Sequence, residues 1–414
     1  MDGAVAERGG WSRRRFVGAL GGATVAAAVS GCGGRPVSPA PAGGYSSASS
    51  PAPSGDASAP ATRPAAPTAG SHPGHRPLWL GTYTSAEGGG HGIGLAVYDP
   101  VTGRVTGTGT VKGVSDPSYL AAHPDGRTLY AVSEREHGAV AAVRLADRRV
   151  LGNRSTGGSG PCHLSVHPGG RWLLSTHYGS GSVAVHPIDA AGALGERTDL
   201  VVLSRPAATE GRQPRAHQVV TAPDGRHVLA VDLGTDTVYT YRIDAHAGRL
   251  SEVARARTEP GAGPRHLTFH PGGRYAYLAN ENDDTITVCA WDPATGRLTV
   301  GEAQATGSGT GQNYPAQILV TADGSYAFLA NRGHDSIARY AVEAGGARLR
   351  LLGTVPAAGD FPRQIAFSPD GRLLFAANQR SSSVSVFHVD GGSGALRLAG
   401  APFASPVAVC AVPL

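Results

Sequence analysis

Five charged or titratable side chains stand at corresponding positions of short strand-like segments in the second half of the chain. They are His217, Arg265, Glu281, Arg332 and Arg363. A carboxylate or an imidazole can move a proton near neutral pH, and guanidinium groups bind carboxylates and phosphates. Brought together, these groups could hold an anionic substrate and transfer a proton. The alternative is that the charged residues form ion pairs between neighbouring structural elements.

A repeat of roughly fifty residues provides the elements that must position these side chains. Each copy reads as a proline, an alternating strand, a turn such as Pro-Asp-Gly or Pro-Gly-Gly, and a second strand that ends in a small polar residue. A third and a fourth strand follow. Four antiparallel strands per repeat are typical of a propeller blade. The copies begin at Pro117, Pro161, Pro214, Pro264, Pro315 and Pro362.

The two ends of the repeat region complete one further blade. Residues 78–83, 92–98 and 104–111 read as second, third and fourth strands without a first, and residues 406–412 read as a first strand with nothing after it. Pairing them removes the exposed edges of the array. We therefore predict an all-β, seven-bladed β-propeller over residues 78–414, closed by N-terminal strands that pair with a C-terminal strand. An open solenoid of the same repeats is the alternative.

Two positions of the repeat are predicted to lie at one mouth of the central channel. They are the start of the innermost strand and the end of the second strand, and both vary between copies more than a structural role requires. The five residues above occupy these positions. We expect substrate contacts from polar side chains at or next to them, namely His163, His177, His266, Gln317, Arg363 and Gln364.

Two other recurrent sets of residues are interpreted as structural. Histidines precede the turn proline in several copies, and we assign them to the turns: His123, His167 and His270. Asparagine or aspartate ends several second strands, where its side chain can bond to local backbone: Asp232, Asn280, Asn331 and Asn378. Cys162, Cys289 and Cys410 lie in apolar segments and are predicted to be buried free thiols, with one disulfide plus a spare as the alternative.

The N-terminus has the layout of an export signal. Ser12-Arg13-Arg14-Arg15-Phe16-Val17 precedes a weakly apolar stretch that ends in small residues before Cys32. We predict a twin-arginine lipoprotein signal peptide over residues 1–32 with Cys32 as the lipidation site, and a disordered Pro/Ala/Ser/Gly linker over residues 33–77. The protein would then be exported and anchored to the outer face of the cytoplasmic membrane, or secreted. A chance basic, alanine-rich N-terminus is the alternative.

Charge and hydropathy exclude two classes of protein. Of the formal charge of +5, residues 1–31 and 33–76 each contribute +2, which leaves residues 78–414 close to neutral. A basic nucleic-acid-binding face is therefore not expected. No apolar run reaches the roughly 20 residues of a membrane-spanning helix, so we expect membrane contact only through a lipid anchor. The serine-hydrolase, zinc-protease and Cys-x-x-Cys motifs do not occur.

One segment carries a family resemblance. Gly261-Ala-Gly-Pro-Arg265-His266, with Phe269-His-Pro, Tyr275-Ala-Tyr and Asn280-Glu281, resembles the bacterial propeller-type 6-phosphogluconolactonase family, which also includes fungal carboxy-cis,cis-muconate cyclases. The resemblance implies a lactone hydrolase whose catalytic residues are His217, Arg265, Glu281 and Arg332, with Arg363 competing for the role of the second arginine. It also implies that no cofactor or metal is required.

The expected partner is a small-molecule lactone, and we expect a monomer. The family's phosphorylated sugar lactone is made in the cytoplasm, whereas this chain carries an export signal, so another sugar or small lactone is a candidate substrate. Binding of a divalent metal at the channel mouth is a further alternative. Two other functions stay open as well: a non-catalytic envelope propeller that binds a glycan or a protein, and a quinone- or metal-dependent oxidoreductase.

Overall fold

The computed structural model describes residues 74–204 and 211–414. These residues form 29 β-strands arranged in seven sheets, so the predicted seven-bladed propeller is confirmed. The proposed signal peptide, Cys32 and nearly all of the proposed linker lie outside the described residues. Within the described residues, no helix is long and apolar enough to cross a membrane.

Blades 1 to 4 are numbered in chain order, and blade 1 also contains the last strand of the chain region described. Blade 1 contains β1 (Arg76–Thr82), β2 (Ile93–Tyr98), β3 (Val105–Val111) and β29 (Ala408–Pro413). Blade 2 contains β4 (Leu120–Ala122), β5 (Thr128–Ser133), β6 (Ala139–Arg144) and β7 (Arg149–Ser155). Blade 3 contains β8 (Pro161–Val166), β9 (Trp172–His177), β10 (Ser182–Pro187) and β11 (Asp199–Val202). Blade 4 contains β12 (Ala216–Thr221), β13 (His227–Asp232), β14 (Thr237–Ile243) and β15 (Leu250–Arg257).

Three further blades complete the ring. Blade 5 contains β16 (Pro264–Phe269), β17 (Tyr275–Asn280), β18 (Thr285–Asp292) and β19 (Arg297–Ala305). Blade 6 contains β20 (Tyr314–Val320), β21 (Tyr326–Arg332), β22 (Ser336–Glu343) and β23 (Arg348–Pro356), with a short 3-10 turn at Ala344–Gly346. Blade 7 contains β24 (Pro362–Phe367), β25 (Leu373–Asn378), β26 (Ser383–Val389), β27 (Leu396–Leu398) and β28 (Phe403–Ala404).

The ring closes through the two ends of the repeat region, as predicted. In blade 1, β29 pairs antiparallel with β1 and places Val412 opposite Trp79. Each innermost strand contacts the next one around the channel in the order β29, β4, β8, β12, β16, β20, β24 and back to β29. Strand β1 begins at Arg76, two residues before the predicted start of the domain.

Apolar side chains between neighbouring blades form the core. Seven buried clusters each join two adjacent blades; Trp172 of blade 3, for example, packs in one cluster with Tyr239 of blade 4. Burial of this apolar surface is the main stabilising contribution. Cys162, Cys289 and Cys410 are buried free thiols, as predicted, and burial raises the pKa of Cys410 to about 12.

The turn histidines link neighbouring blades. The Nε2 atom of His123 lies 2.8 Å from the carbonyl oxygen of Gly170 in the next blade. His167 makes the same contact with the carbonyl of Gly225, at 2.9 Å. The structural interpretation of these two histidines is confirmed.

The residues that end the second strands also have structural partners. Asp232 accepts hydrogen bonds from the backbone N–H groups of Arg215 and Gly234, as predicted. The expectation of local backbone partners was wrong for Asn280. Its amide donates to the hydroxyls of Thr285 and Thr287, because the third strand lies directly alongside the end of the second.

Candidate active site

A recurring β-bulge places several predicted site residues at the channel mouth. In each of blades 3, 4, 5 and 7 the innermost strand shifts register after its first residue, and one residue is left without a partner. Bulges bend a strand and re-aim the side chain of the extra residue. The residues at the bulges are Cys162, His217, Arg265 and Arg363.

Glu281 lies at the centre of a charge cluster at this mouth. It directly follows β17, and its Oε2 atom lies 2.9 Å from Nε of Arg265 and 2.5 Å from Nη2 of Arg332. Arg332 also donates from Nε to the carbonyl of Tyr314 and from Nη2 to that of Pro315, at 3.1 and 3.3 Å. The structure therefore brings together three of the four predicted catalytic residues and fixes Arg332 in place.

The two guanidinium groups determine the ionisation of Glu281. Burial alone would raise its pKa, but Arg332 and Arg265 outweigh burial and hold the pKa below its usual value. Arg265 is only 1% exposed. Burial and the neighbouring Arg332 lower the pKa of Arg265 to about 9, so it remains a cation at neutral pH. Nη1 of Arg265 is buried and has no hydrogen-bond partner in the described part of the chain.

The fourth predicted catalytic residue belongs to a layer of aromatic rings across the channel. The ring of His217 lies 5.1 Å from that of His266, which lies 5.3 Å from that of His163. Nδ1 of His266 is 2.7 Å from Oε1 of Gln317. Burial, followed by the charge of Arg265, lowers the pKa of all three histidines, that of His163 to about 3. The imidazoles are therefore neutral at pH 7.

Arg363 is the least engaged arginine of the mouth. Its guanidinium carbon lies 5.9 Å from the ring centroid of Tyr83. Unlike Arg265 and Arg332, it forms no ion pair with any carboxylate among residues 74–204 and 211–414. Its charge acts on Tyr83 and Glu134 without a direct ion pair, so its N–H groups can donate to a bound anion.

Sequence reasoning assigned no role to a second carboxyl group at the same mouth. Glu134 directly follows β5, the same repeat position that Glu281 occupies after β17. Its Oε2 atom accepts hydrogen bonds from the hydroxyl of Tyr83, at 2.8 Å, and from the hydroxyl of Ser118. The shared repeat position was visible in the sequence, but the hydroxyl partners come from other strands and were not.

Two of the expected substrate-binding residues are engaged elsewhere. His177 is fully buried, its Nδ1 atom lies 3.0 Å from the carbonyl oxygen of Ser182, and its ring packs against Gly158. Gln364 accepts a hydrogen bond from the N–H of Ala411 and donates one to its carbonyl. These contacts give both residues a structural role: His177 holds together two strands of blade 3, and Gln364 connects blade 7 to the closing strand. His163, His266, Gln317 and Arg363 do lie around the channel.

The channel continues beyond this layer of imidazole rings towards the opposite face of the propeller. A cavity of about 500 Å³ begins at Tyr119, His163, Gln218 and Gln317 and is otherwise lined mainly by apolar residues of the innermost strands. The charged mouth around Glu281, Arg265, Arg332 and Arg363, called the basin below, is therefore one end of the channel. The layer of imidazole rings separates it from the apolar cavity. In the described part of the chain, no group of three or more His, Cys, Asp or Glu side chains is arranged to hold a metal ion.

The fold and the site define a class of protein, a closed seven-bladed propeller with an arginine-rich polar basin at one end of its channel. Residues 77–413 match the family described as "Lactonase, 7-bladed beta-propeller", and the chain belongs to this family. A 6-phosphogluconolactonase of Bacillus subtilis is 30% identical over 293 residues, which cover 68% of this chain and 82% of the relative.

Solved structures agree with the family assignment. A periplasmic gluconolactonase of Pseudomonas aeruginosa is similar with a TM-score of 0.74 and 30% identity, over 82% of this chain and 99% of its own. A Lactobacillus plantarum protein is similar with a TM-score of 0.75 and 30% identity, again over 82% and 99% of the two chains. The resemblance to the propeller lactonases seen in the sequence is thus confirmed.

Proposed function

We propose that this protein hydrolyses the ring ester of a small anionic lactone. The observation that carries the proposal is the state of Glu281, an ionised carboxylate that two buried guanidinium groups hold by one oxygen. The other oxygen, Oε1, takes part in none of the hydrogen bonds of the described residues. An ionised carboxylate with one oxygen held in place and the other free can accept a proton from a water molecule.

The proposed reaction uses that free oxygen to activate water. Oε1 of Glu281 accepts a proton from a water molecule, whose oxygen forms a bond to the lactone carbonyl carbon. The bond between that carbon and the ring oxygen then breaks, the ring oxygen gains a proton, and Glu281 releases to solvent the proton that it took, so that one water molecule is added in all. The product is an open-chain hydroxy acid, so all atoms and protons are accounted for. His217 is neutral because burial and the charge of Arg265 lower its pKa. Its imidazole can form a hydrogen bond to the substrate.

Two arginines are assigned to negative charge on the substrate. Nη1 of Arg265 is a buried donor without a partner, and an unpaired buried donor is costly. A carbonyl oxygen that becomes an oxyanion would satisfy it and be stabilised by it. Arg363, which lacks an ion pair among the described residues, is assigned to a carboxylate or phosphate of the substrate. Burial is the main cause of the low pKa of His217, and such an anion would offset the smaller contribution of the neighbouring arginine charges.

We place this reaction outside the cytoplasm, at the cell envelope or in the surrounding medium. Support comes from the twin-arginine and lipobox pattern before Cys32 and from the periplasmic gluconolactonase among the similar structures. The substrate is then a sugar lactone or another small lactone that reaches the cell envelope, and lipid on Cys32 would be the only membrane attachment.

A panel of lactones tests the proposal. Purified protein should accelerate acid release from at least one sugar lactone after spontaneous hydrolysis has been subtracted. Glu281→Gln should remove the acceleration, while the exposed Glu302→Gln on β19 serves as the matched control. No acceleration with phosphorylated, carboxylated and neutral lactones would replace this proposal with the non-catalytic alternative, in which the basin binds a glycan or a protein.

A further inference from the structure

Two carboxyl groups occupy the same repeat position in blades that are three apart around the channel. Glu134 follows the second strand of blade 2 and Glu281 follows the second strand of blade 5, so they stand three blades apart on opposite sides of the ring. The backbone N–H of each residue donates to a carbonyl in the loop before the innermost strand of its own blade, that of Asp116 or Gly263. The repeat therefore presents both carboxyl groups to the same basin in the same way.

Both carboxyl groups are held by Oε2, but the groups that hold them differ in charge. Oε2 of Glu281 contacts the two guanidinium groups of Arg265 and Arg332. Oε2 of Glu134 accepts from two neutral hydroxyls, those of Tyr83 and Ser118. No hydrogen bond within residues 74–204 and 211–414 reaches Oε1 of either residue. Each carboxyl group therefore has one anchored oxygen and one oxygen free for a ligand.

The two environments shift the pKa values of the two carboxyl groups in opposite directions. Burial raises the pKa of Glu134, and the charge of Arg363 offsets this only in part. Burial also raises the pKa of Tyr83, so its hydroxyl remains a donor to Glu134. Glu281 has a lowered pKa because its two arginines outweigh burial. Paired carboxyl groups whose environments separate their pKa values in this way divide into an acid and a base.

We propose that Glu134 is the general acid that protonates the leaving ring oxygen while Glu281 deprotonates the attacking water. The inference rests on the proposed lactone hydrolysis. A lactone between the two groups is attacked at its carbonyl carbon from the side of Glu281, the bond from that carbon to the ring oxygen breaks, and the proton on Oε1 of Glu134 passes to the ring oxygen. The proton that Glu281 took from water returns to Glu134 through solvent before the next turnover.

An aliphatic ring oxygen leaves as a strongly basic alkoxide and needs this proton. A phenolic ring oxygen leaves far more easily, because a phenol is much more acidic than an aliphatic alcohol. General acid catalysis contributes roughly 10²-fold to 10⁴-fold where it is needed. The role of Glu134 therefore depends on the leaving group, whereas a bracing role between blades 1 and 2 through Tyr83 does not.

The test compares two substrates in Glu134→Gln, whose amide oxygen can still accept from Tyr83 and Ser118. Hydrolysis of the best aliphatic lactone should fall by about 100-fold or more, whereas hydrolysis of dihydrocoumarin, which has a phenolic leaving group, should change by less than about tenfold. Glu281→Gln should lower both rates, and Glu302→Gln neither. Equal losses on both substrates, or no loss on either, would overturn the assignment of Glu134.

A second variant gives an independent readout and separates the two proposals. Glu134→Ala leaves space for a small carboxylic acid, so added acetic acid should restore aliphatic lactone hydrolysis in this variant and not in Glu281→Ala. Absence of recovery in a folded Glu134→Ala protein overturns the acid role. If the wild-type protein hydrolyses no lactone, the proposed function itself fails, and that outcome is distinct from a Glu134 variant that matches an active wild type.

Discussion

Arg332 of blade 6 and Glu281 of blade 5 join neighbouring blades at the rim of the channel, with 2.5 Å between Nη2 and Oε2. The same guanidinium group donates to the carbonyls of Tyr314 and Pro315 and lies over the ring of Phe361. Its hydrogen-bonding capacity is largely used within the protein. Arg332 thus orients Glu281 and keeps it ionised, and the free donors of the basin belong to Arg265 and Arg363.

Arg332→Met should remove this orientation. We expect lactone hydrolysis to fall by about 100-fold, because a base displaced by about 1 Å loses activity of this order. The free energy of unfolding should fall by about 3 kcal/mol, since Glu281 loses a buried ion-pair partner. Steady-state kinetics and urea unfolding measure the two effects. Wild-type activity in this variant would show that Arg332 does not position the base.

Arg363→Gln should affect substrate binding and leave stability nearly unchanged, because Arg363 has no ion pair to lose among the described residues. We expect the KM for a carboxylated or phosphorylated lactone to rise by about tenfold, equivalent to about 1.4 kcal/mol. The KM for a neutral lactone should stay the same. The exposed Arg104→Gln on the outer part of blade 1 is the control. A similar rise for both kinds of lactone contradicts the anion-binding role.

The buried imidazoles should make the protein sensitive to acid. As the pH falls below 6.5, the histidines of the unfolded chain take up protons, whereas the folded protein keeps His163 neutral until about pH 3. The free energy of unfolding should therefore fall with pH, by about 1.4 kcal/mol per pH unit for each such histidine. Urea unfolding between pH 7 and pH 4.5 measures the slope. His163→Asn should reduce it, and the exposed His246→Asn should not.

Gln364→Leu separates a structural role from the substrate contact expected from the sequence. The variant leaves the buried N–H of Ala411 without its side-chain acceptor. We expect a loss of about 2 kcal/mol in the free energy of unfolding and no change in KM. Thermal or urea unfolding measures the stability, and kinetics on the best lactone measure the KM. A raised KM with unchanged stability would restore Gln364 to the substrate site.

The sequence was sufficient to predict the ring because each blade repeats the same pattern of strands and turns. It also predicted which positions face the channel mouth. The start of the innermost strand, one of the two predicted positions, coincides with the β-bulge that carries His217, Arg265 and Arg363. The repeat therefore predicted where these side chains lie, although nothing in the sequence indicated the bulge itself.

Partners from other strands could not be predicted in this way. His177 was expected to contact substrate because it lies at the end of the second strand. Side chains at this repeat position bond instead to the third strand, as those of His177 and Asn280 do. Glu134 was passed over because its two hydroxyl partners, Tyr83 and Ser118, lie 51 and 16 residues away in the chain. Whether a carboxyl group faces guanidinium groups or hydroxyls depends on which blades become neighbours, and only the closed ring decides that.

The order of strands in blade 1 bears on how the protein is made. Its strand next to the channel, β29, is the last to be synthesised, whereas β1, β2 and β3 leave the ribosome first. The nascent chain therefore carries an unpaired β1 edge until β29 has been synthesised, and the basin takes its final form only after β29 pairs with β1. A chain that stops before β29 would expose that edge to other polypeptides, which favours aggregation of the truncated molecules.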